Sequence, residues 1–139
     1  MWKFVSISAC VLVCATAASA ADLTVTINGL RNANGSVAAA IFNTETNFPR
    51  AQAFSAFRIK ASSGPVSFTV HNLAPGKYAV TSYHDENDNG KLDADPTGLP
   101  TEGYGVSNDA REVLAPPQFA KAAFDLGDQG TTITIDIKY

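Results

Sequence analysis

Thr131-Thr132-Ile133-Thr134-Ile135-Asp136-Ile137-Lys138-Tyr139 decides the fold class. Ile133, Ile135, Ile137 and Tyr139 fall on one side of an extended chain, and Thr132, Thr134, Asp136 and Lys138 on the other. A period of two with β-branched residues on both sides is the mark of a strand with one buried face. Working outward, the same period recurs at Leu23, Val25 and Ile27, and again at Val66, Phe68 and Val70. Tyr78, Val80 and Ser82 alternate with Ala79, Thr81 and Tyr83 up to His84. Ser36 to Phe42 is apolar nearly throughout, and its shortness and flanking turn residues favour a strand buried on both faces over a helix. Phe57 to Ala61 and Phe119 to Leu126 complete seven short strands.

The punctuation agrees with that reading. Gly29 to Gly35 reads as a hairpin connection with Asn34-Gly35 as its turn, and Pro75-Gly76 as a type II turn. Asn43 to Ala53, interrupted by Phe48-Pro49, is a loop with at most one helical turn. Tyr78 follows a corner, where its hydroxyl can bond back to the upstream backbone or its ring can simply pack in the core. The expected architecture is all-β: an antiparallel two-sheet sandwich, immunoglobulin-like or prealbumin-like, of about seven strands. A small closed barrel is the alternative.

One stretch does not fit a strand. Asp85-Glu86-Asn87-Asp88-Asn89-Gly90-Lys91-Leu92-Asp93 opens a polar loop that runs to about Ala110. A loop of that length needs something to order it: a cation, or packing of Leu92, Leu99, Tyr104 and Val106 back onto the sandwich. The pattern D-x-N-x-N-G-x-x-D supplies side-chain oxygens at Asp85, Asn87, Asn89 and Asp93 and a backbone carbonyl at Lys91, with Gly90 at the sharp bend. Calcium is a hard ion that takes about six to eight oxygens, and a short loop can deliver them only at such alternating positions. The twelfth position, where a bidentate Glu belongs, is Pro96; Asp95 and Glu102 are near but out of register. The set Asp85, Asn87, Asn89, Lys91 and Asp93 therefore predicts a weak calcium site, in the ~10⁻⁴ to 10⁻³ M range of extracellular modules. The competing account is a solvated turn, because Asp, Asn and Gly are ordinary loop residues.

No catalytic pattern accompanies the loop. His71 and His84 are the only two histidines, without zinc-protease spacing, and no Ser sits in a Gly-x-Ser-x-Gly elbow. The carboxylates of 85–95 lie among like charges with no apolar pocket to raise one of their pKa values. His84 beside Asp85 reads as a strand-end histidine with one hydrogen-bonded nitrogen, so no enzymatic activity is expected. The rival is an enzyme that uses His84, the neighbouring acids and a metal.

Met1-Trp2-Lys3, the apolar run Phe4 to Ala15 and Ala18-Ser19-Ala20 have the order of a cleavable signal peptide. Residues 1–20 are expected to be removed and 21–139 to form a single domain. The apolar run is too short for a membrane span, which needs about 20 residues, so no span is expected in the mature chain. Cys10 and Cys14 both lie in the leader; the mature chain has none and relies on a core rather than disulfides. Without Lys3, 9 basic residues face 13 acidic ones, a net charge of −4. Asp85, Glu86, Asp88, Asp93, Asp95 and Glu102 share one window whose only counter-charge is Lys91. That local acidity disfavours nucleic acid and anionic membrane surfaces as partners and favours a cation or solvent.

Three runs carry a family resemblance: Leu73-Ala74-Pro75-Gly76-Lys77-Tyr78-Ala79-Val80, then His84 to Asp93, then Gly98-Leu99-Pro100-Thr101-Glu102-Gly103-Tyr104-Gly105-Val106-Ser107-Asn108. Together they resemble the bacterial exported family catalogued as domain of unknown function 2141, across essentially the whole mature chain. The resemblance implies a small periplasmic or extracellular domain and carries no established activity. The Pro-Gly-x-Tyr corner and the Asp85–Asp93 loop are also similar to pieces of calcium-binding B-type adhesin repeats, which are immunoglobulin-like or prealbumin-like sandwiches. The expected role is thus a binding or structural module at the cell envelope, its partner a protein or envelope component of unknown identity. The edge strand 131–139 is one means of docking.

Overall fold

The computed structural model describes residues 19–139, so the predicted leader lies almost wholly outside it. Eight strands form two sheets: β1 (Ala21–Asn28), β2 (Ser36–Phe42), β3 (Ser55–Lys60), β4 (Val66–Leu73), β5 (Gly76–Asp85), β6 (Tyr104–Val106), β7 (Phe124–Leu126) and β8 (Thr131–Asp136). The smaller sheet has the order β4-β1-β8; the larger runs β3-β2-β5-β6, with β7 beside the start of β5. The sheets are separate layers, which excludes the closed barrel. Between them lie Leu23, Val25, Ile27, Val80 and Ile135, which alternation singled out, with Val37 and Ile41 of the apolar run Ser36–Phe42, each 1% exposed or less. Burying such a side chain contributes about 1.5–3 kcal/mol, and this layer is what makes the chain fold as a sandwich.

Several local expectations need correction. Gly29–Gly35 is not a hairpin turn, because β1 and β2 belong to different sheets. It is an arch from one layer to the other, and Gly35 (φ 63°) lies so close to the Asp85 carbonyl that a side chain would collide there. β8 pairs with β1 in parallel, Val25 opposite Ile133 and Ile27 opposite Ile135, so the sandwich is antiparallel everywhere except at this one pair. The C-terminal strand ends at Asp136. Beyond it Lys138 bridges to Tyr104 of the other sheet, although Ile137 stays buried and Lys138 exposed as the alternation requires. Phe119–Leu126 is not one strand but a helical turn, α1 (Phe119–Ala122), followed by the short β7. Gly76 is extended at φ 158°, whereas the second central residue of a type II turn needs a φ near +80°.

The tyrosine corner forms: the Tyr78 hydroxyl donates to the Ala74 carbonyl at 2.8 Å. The residues of β2 are not buried equally on both faces. Val37, Ala39 and Ile41 face the core, while Ala38 and Ala40 are half-buried on the outer face of the larger sheet. One end of that outer face carries a second, smaller core of Ala79, Val106, Ala110 and Ala122, with Phe48, Tyr104 and Phe119 packed against it. Phe48 meets Phe42 and Phe119 edge-on, at ring-centroid distances of 5.3 and 5.7 Å. The predicted 25-residue loop is therefore interrupted by β6 and a 3-10 turn at Ser107–Asp109. Tyr104 and Val106 do pack back, whereas Leu92 and Leu99 stay 37% and 40% exposed.

Candidate functional site

Alternation along β5 turns His84 to the inner face and Asp85 to the outer, and both are fully buried. The antiparallel register lays Ser36 of β2 beside Asp85 and Ala38 of β2 beside Arg58 of β3. Arg58 can thus cross the face of β2 and donate to both Ser36 and Asp85, the latter at 2.8 Å. The loop then turns back over the Asp85 carboxylate: Oδ1 accepts from the Asn89 N–H at 3.0 Å, and Oδ2 from the Gly90 N–H at 2.8 Å. Gly90 adopts φ 82° at this bend, a conformation that suits glycine best. Burial pushes the Asp85 carboxyl up, but Arg58 and the two N–H donors together outweigh it and hold it below the usual aspartate range.

Beyond the bend, Asn87, Asn89 and Asp93 converge. The Asn87 amide donates to Asp93 Oδ2 at 2.7 Å, and the Asn89 amide spans both Asp93 oxygens at 2.9 Å. The oxygens of the two amides accept from the chain just ahead, Asn87 Oδ1 from Asn89 N–H and Asn89 Oδ1 from Lys91 N–H. Four of the five predicted ligands are therefore gathered in one loop, with Asp85 linked to the others through Asn89. The Lys91 residue is exposed at its rim. Every carboxylate oxygen of Asp85 and Asp93 already accepts from an N–H donor. Among the described residues, no three His, Cys, Asp or Glu side chains are gathered closely enough to hold an ion. The oxygen types and their spacing suit a hard cation; the hydrogen bonds in place show what such an ion must displace.

Glu102 is the member that spacing did not reveal. Only 6% exposed, it accepts from the Glu86 N–H through Oε1 at 2.8 Å and from the Asp93 N–H through Oε2 at 3.0 Å. One carboxylate thus clamps both ends of the loop. Its neighbour Glu86 is met by Arg31 and by the Asn32 amide; burial raises its carboxyl, and those two donors more than reverse the effect. Asp95 does the same locally, accepting from Thr97 and Leu99. Arg31 and Arg58 come from distant segments, and nothing in the local sequence marks them as partners of this loop.

His84 has a partner on each ring nitrogen. The Tyr139 hydroxyl, which accepts from the Arg31 N–H, lies 2.6 Å from His84 Nδ1, and Nε2 lies 2.8 Å from the Asn34 carbonyl. That arrangement assigns the proton to Nε2 and leaves neither nitrogen for a substrate. His71 is exposed and pairs with Asp22 at 2.8 Å, far along the other sheet.

Fold and loop together define a two-sheet β-sandwich with a carboxylate-clamped polar loop between two adjacent strands of the larger sheet. The model of a bacterial family described as "Uncharacterized protein conserved in bacteria (DUF2141)" matches residues 25–134, and the chain belongs to that family. No curated protein and no solved structure matches it. Among the described residues no helix is long and apolar enough to cross a membrane.

Proposed function

We propose that this chain is an exported, non-catalytic binding or structural module of the cell envelope whose 85–93 loop takes one calcium ion weakly. The observation that carries the metal is the convergence of Asn87, Asn89 and Asp93, with Asp85 behind them, in the order of the D-x-N-x-N-G-x-x-D pattern. Asp93 and the amide oxygens of Asn87 and Asn89 would hold the ion, with Asp85 and the Lys91 carbonyl completing an oxygen set. The ion would supply rigidity and charge neutralisation rather than a reaction. Turning an amide about its last side-chain bond exchanges N–H for oxygen, a small motion in a loop whose ends Glu102 already holds. A preformed loop lowers the ordering cost of binding. Displacing N–H donors from Asp93 keeps the affinity low.

Export rests on the order of charged, apolar and small residues in Met1–Ala20. The non-catalytic reading is supported by His84, the one histidine beside the acids, being buried with both nitrogens bonded.

Thermal melting of the protein lacking residues 1–20 tests the metal. With a dissociation constant of about 0.5 mM, about 10 mM calcium stabilises by about 2 kcal/mol through mass action, and equal magnesium does much less. Asp93→Ala abolishes the calcium response: its midpoint is the same with calcium and with chelator. A wild-type midpoint that ignores calcium overturns the site.

A further inference from the structure

The outer face of the larger sheet holds a groove of about 500 Å3 beside the second core. On the sheet side it is lined by Ala40, Thr81, Tyr83, Tyr104 and Val106. Six large apolar residues are exposed among those described, and four of them, Leu92, Leu99, Val113 and Leu114, line this one groove. Leu114 is 90% exposed and Val113 62%. Apolar side chains scattered singly need no explanation, but their gathering around a concavity of this size is the ordinary form of a small-molecule site.

The polar content of the groove narrows the ligand. Its charged residues are Arg50 and Glu112. Glu112 is paired with Lys121 at 2.7 Å, and the Tyr104 hydroxyl is committed to the Glu112 carbonyl at 2.6 Å. Arg50 has no hydrogen-bond or ion-pair partner among the described residues, so its guanidinium is the groove's uncommitted charge. It follows Phe48, which packs on Phe42 at one end of β2. Leu92 and Leu99 belong to the loop that leaves β5 at the opposite end, after Asp85. The groove is therefore cationic at one end and aliphatic at the other. An extended peptide has no ladder to join at Tyr104, whose N–H and carbonyl are both bonded to Lys138.

We propose that this groove binds a small amphipathic carboxylate, its aliphatic tail lying over Tyr83 and Tyr104 toward Leu92 and Leu99 and its carboxylate on Arg50. A guanidinium presents a planar fork that matches one carboxylate with two parallel bonds. At about 30 Å3 per heavy atom, the volume holds roughly fifteen heavy atoms, the size of a medium-chain fatty acid. This site shares Leu92 with the calcium loop, but its anchor Arg50 lies outside that loop and its occupancy requires no metal.

Calorimetry with dodecanoate, dodecan-1-ol and dodecyltrimethylammonium, each below its aggregation threshold, tests the assignment. Dodecanoate binds at least about tenfold tighter than the alcohol, as a charge-assisted bidentate contact requires, and the cation binds weakest. Arg50→Gln removes the preference for dodecanoate without altering alcohol binding. Leu114→Asp weakens both, and since both residues are exposed the melting midpoint stays in place. Equal affinity for the three probes, retention of the preference in Arg50→Gln, or no binding of any probe up to about 1 mM overturns the proposal. Self-association that is lost in Leu114→Asp, with no probe bound, overturns it in favour of a second copy of the chain.

Discussion

Residues 86–103 and residues 107–123 both cover ground at the margin of the larger sheet, and opposite forces order them. The first segment buries almost nothing apolar. Its fixed points are carboxylates that accept backbone N–H groups: Asp85 from Asn89 and Gly90, Glu102 from Glu86 and Asp93, Asp95 from Thr97 and Leu99. The second is held by Ala110, Ala122 and Phe119 packing on Ala79, Val106 and Phe48. Its polar ties are Ser107, which accepts from the Val80 N–H and donates to the Ala122 carbonyl, and the Asn108 amide, which donates to the Ala123 carbonyl at 2.8 Å. The difference shows that an acid-rich stretch is not by itself a problem of repulsion awaiting a counter-ion. Where each carboxylate meets N–H donors or an arginine, the acids are what folds the loop.

The strongest way to break the contrast is Asp85→Ala. It removes the shared acceptor of Arg58, Asn89 and Gly90 from a fully buried position; the Gly90 N–H loses its partner and the Asn89 N–H keeps only Asn87 Oδ1 at 3.1 Å. The expected loss is about 3 kcal/mol, read by urea denaturation, and amide exchange should rise across 86–93 while 107–123 stays protected. A loss spread evenly over both segments would show that they are one cooperative unit. Acid probes the same point. The folded Asp85 and Glu86 carboxyls titrate below their unfolded values, so their contribution is complete above pH ~4–5 and disappears as pH falls through the depressed folded values. Exchange at Asn89 and Gly90, corrected for the intrinsic rate, should quicken in acid before exchange at Ala122 does.

Ser107→Ala sharpens the comparison from the other side. Ser107 is 1% exposed, and loss of its hydroxyl strands the Val80 N–H and leaves the Ala122 carbonyl only the Asn108 amide at 3.3 Å. About 2 kcal/mol is expected, with the loop 86–103 unaffected. Retention of full stability would mean that water or a backbone shift replaces the hydroxyl.

The same contrast explains what was legible in the sequence. Period-two alternation identified β1, β4, β5 and β8 because each has one face on the core and the other toward solvent or a thin cover. The polar loop was legible too, since Asp85, Asn87, Asn89, Gly90 and Asp93 bond within a few residues of one another and leave their spacing in the chain. Glu102 was not, because its partners lie 16 and 9 residues away, and Arg58 reaches Asp85 across 27. Asn34-Gly35 misled because a turn dipeptide says that the chain bends, not which sheet receives it. Phe119–Leu126 misled because its apolar residues serve two surfaces: Phe119 and Ala122 the second core, Leu126 the first. The groove left no motif, since Leu92, Leu99, Val113 and Leu114 meet only after folding.

The smallest expected effect is also a discriminating one. The 107–123 segment has two exposed ion pairs, Asp109 with Lys138 and, at the groove, Lys121 with Glu112. If apolar packing is what orders this segment, Glu112→Gln should change stability by no more than about 0.5 kcal/mol, the ordinary worth of a solvent-exposed pair. The carbonyl of Glu112, which takes the Tyr104 hydroxyl, is untouched by the substitution, so the wall of the groove keeps its place. Removing Asp85 takes away a buried acceptor on which Arg58, the Asn89 N–H and the Gly90 N–H converge. Removing the Glu112 charge leaves Lys121 in water, where solvation replaces the partner. A loss approaching that of Asp85→Ala would mean that the second segment also depends on its charges, and the distinction between the two segments would fall.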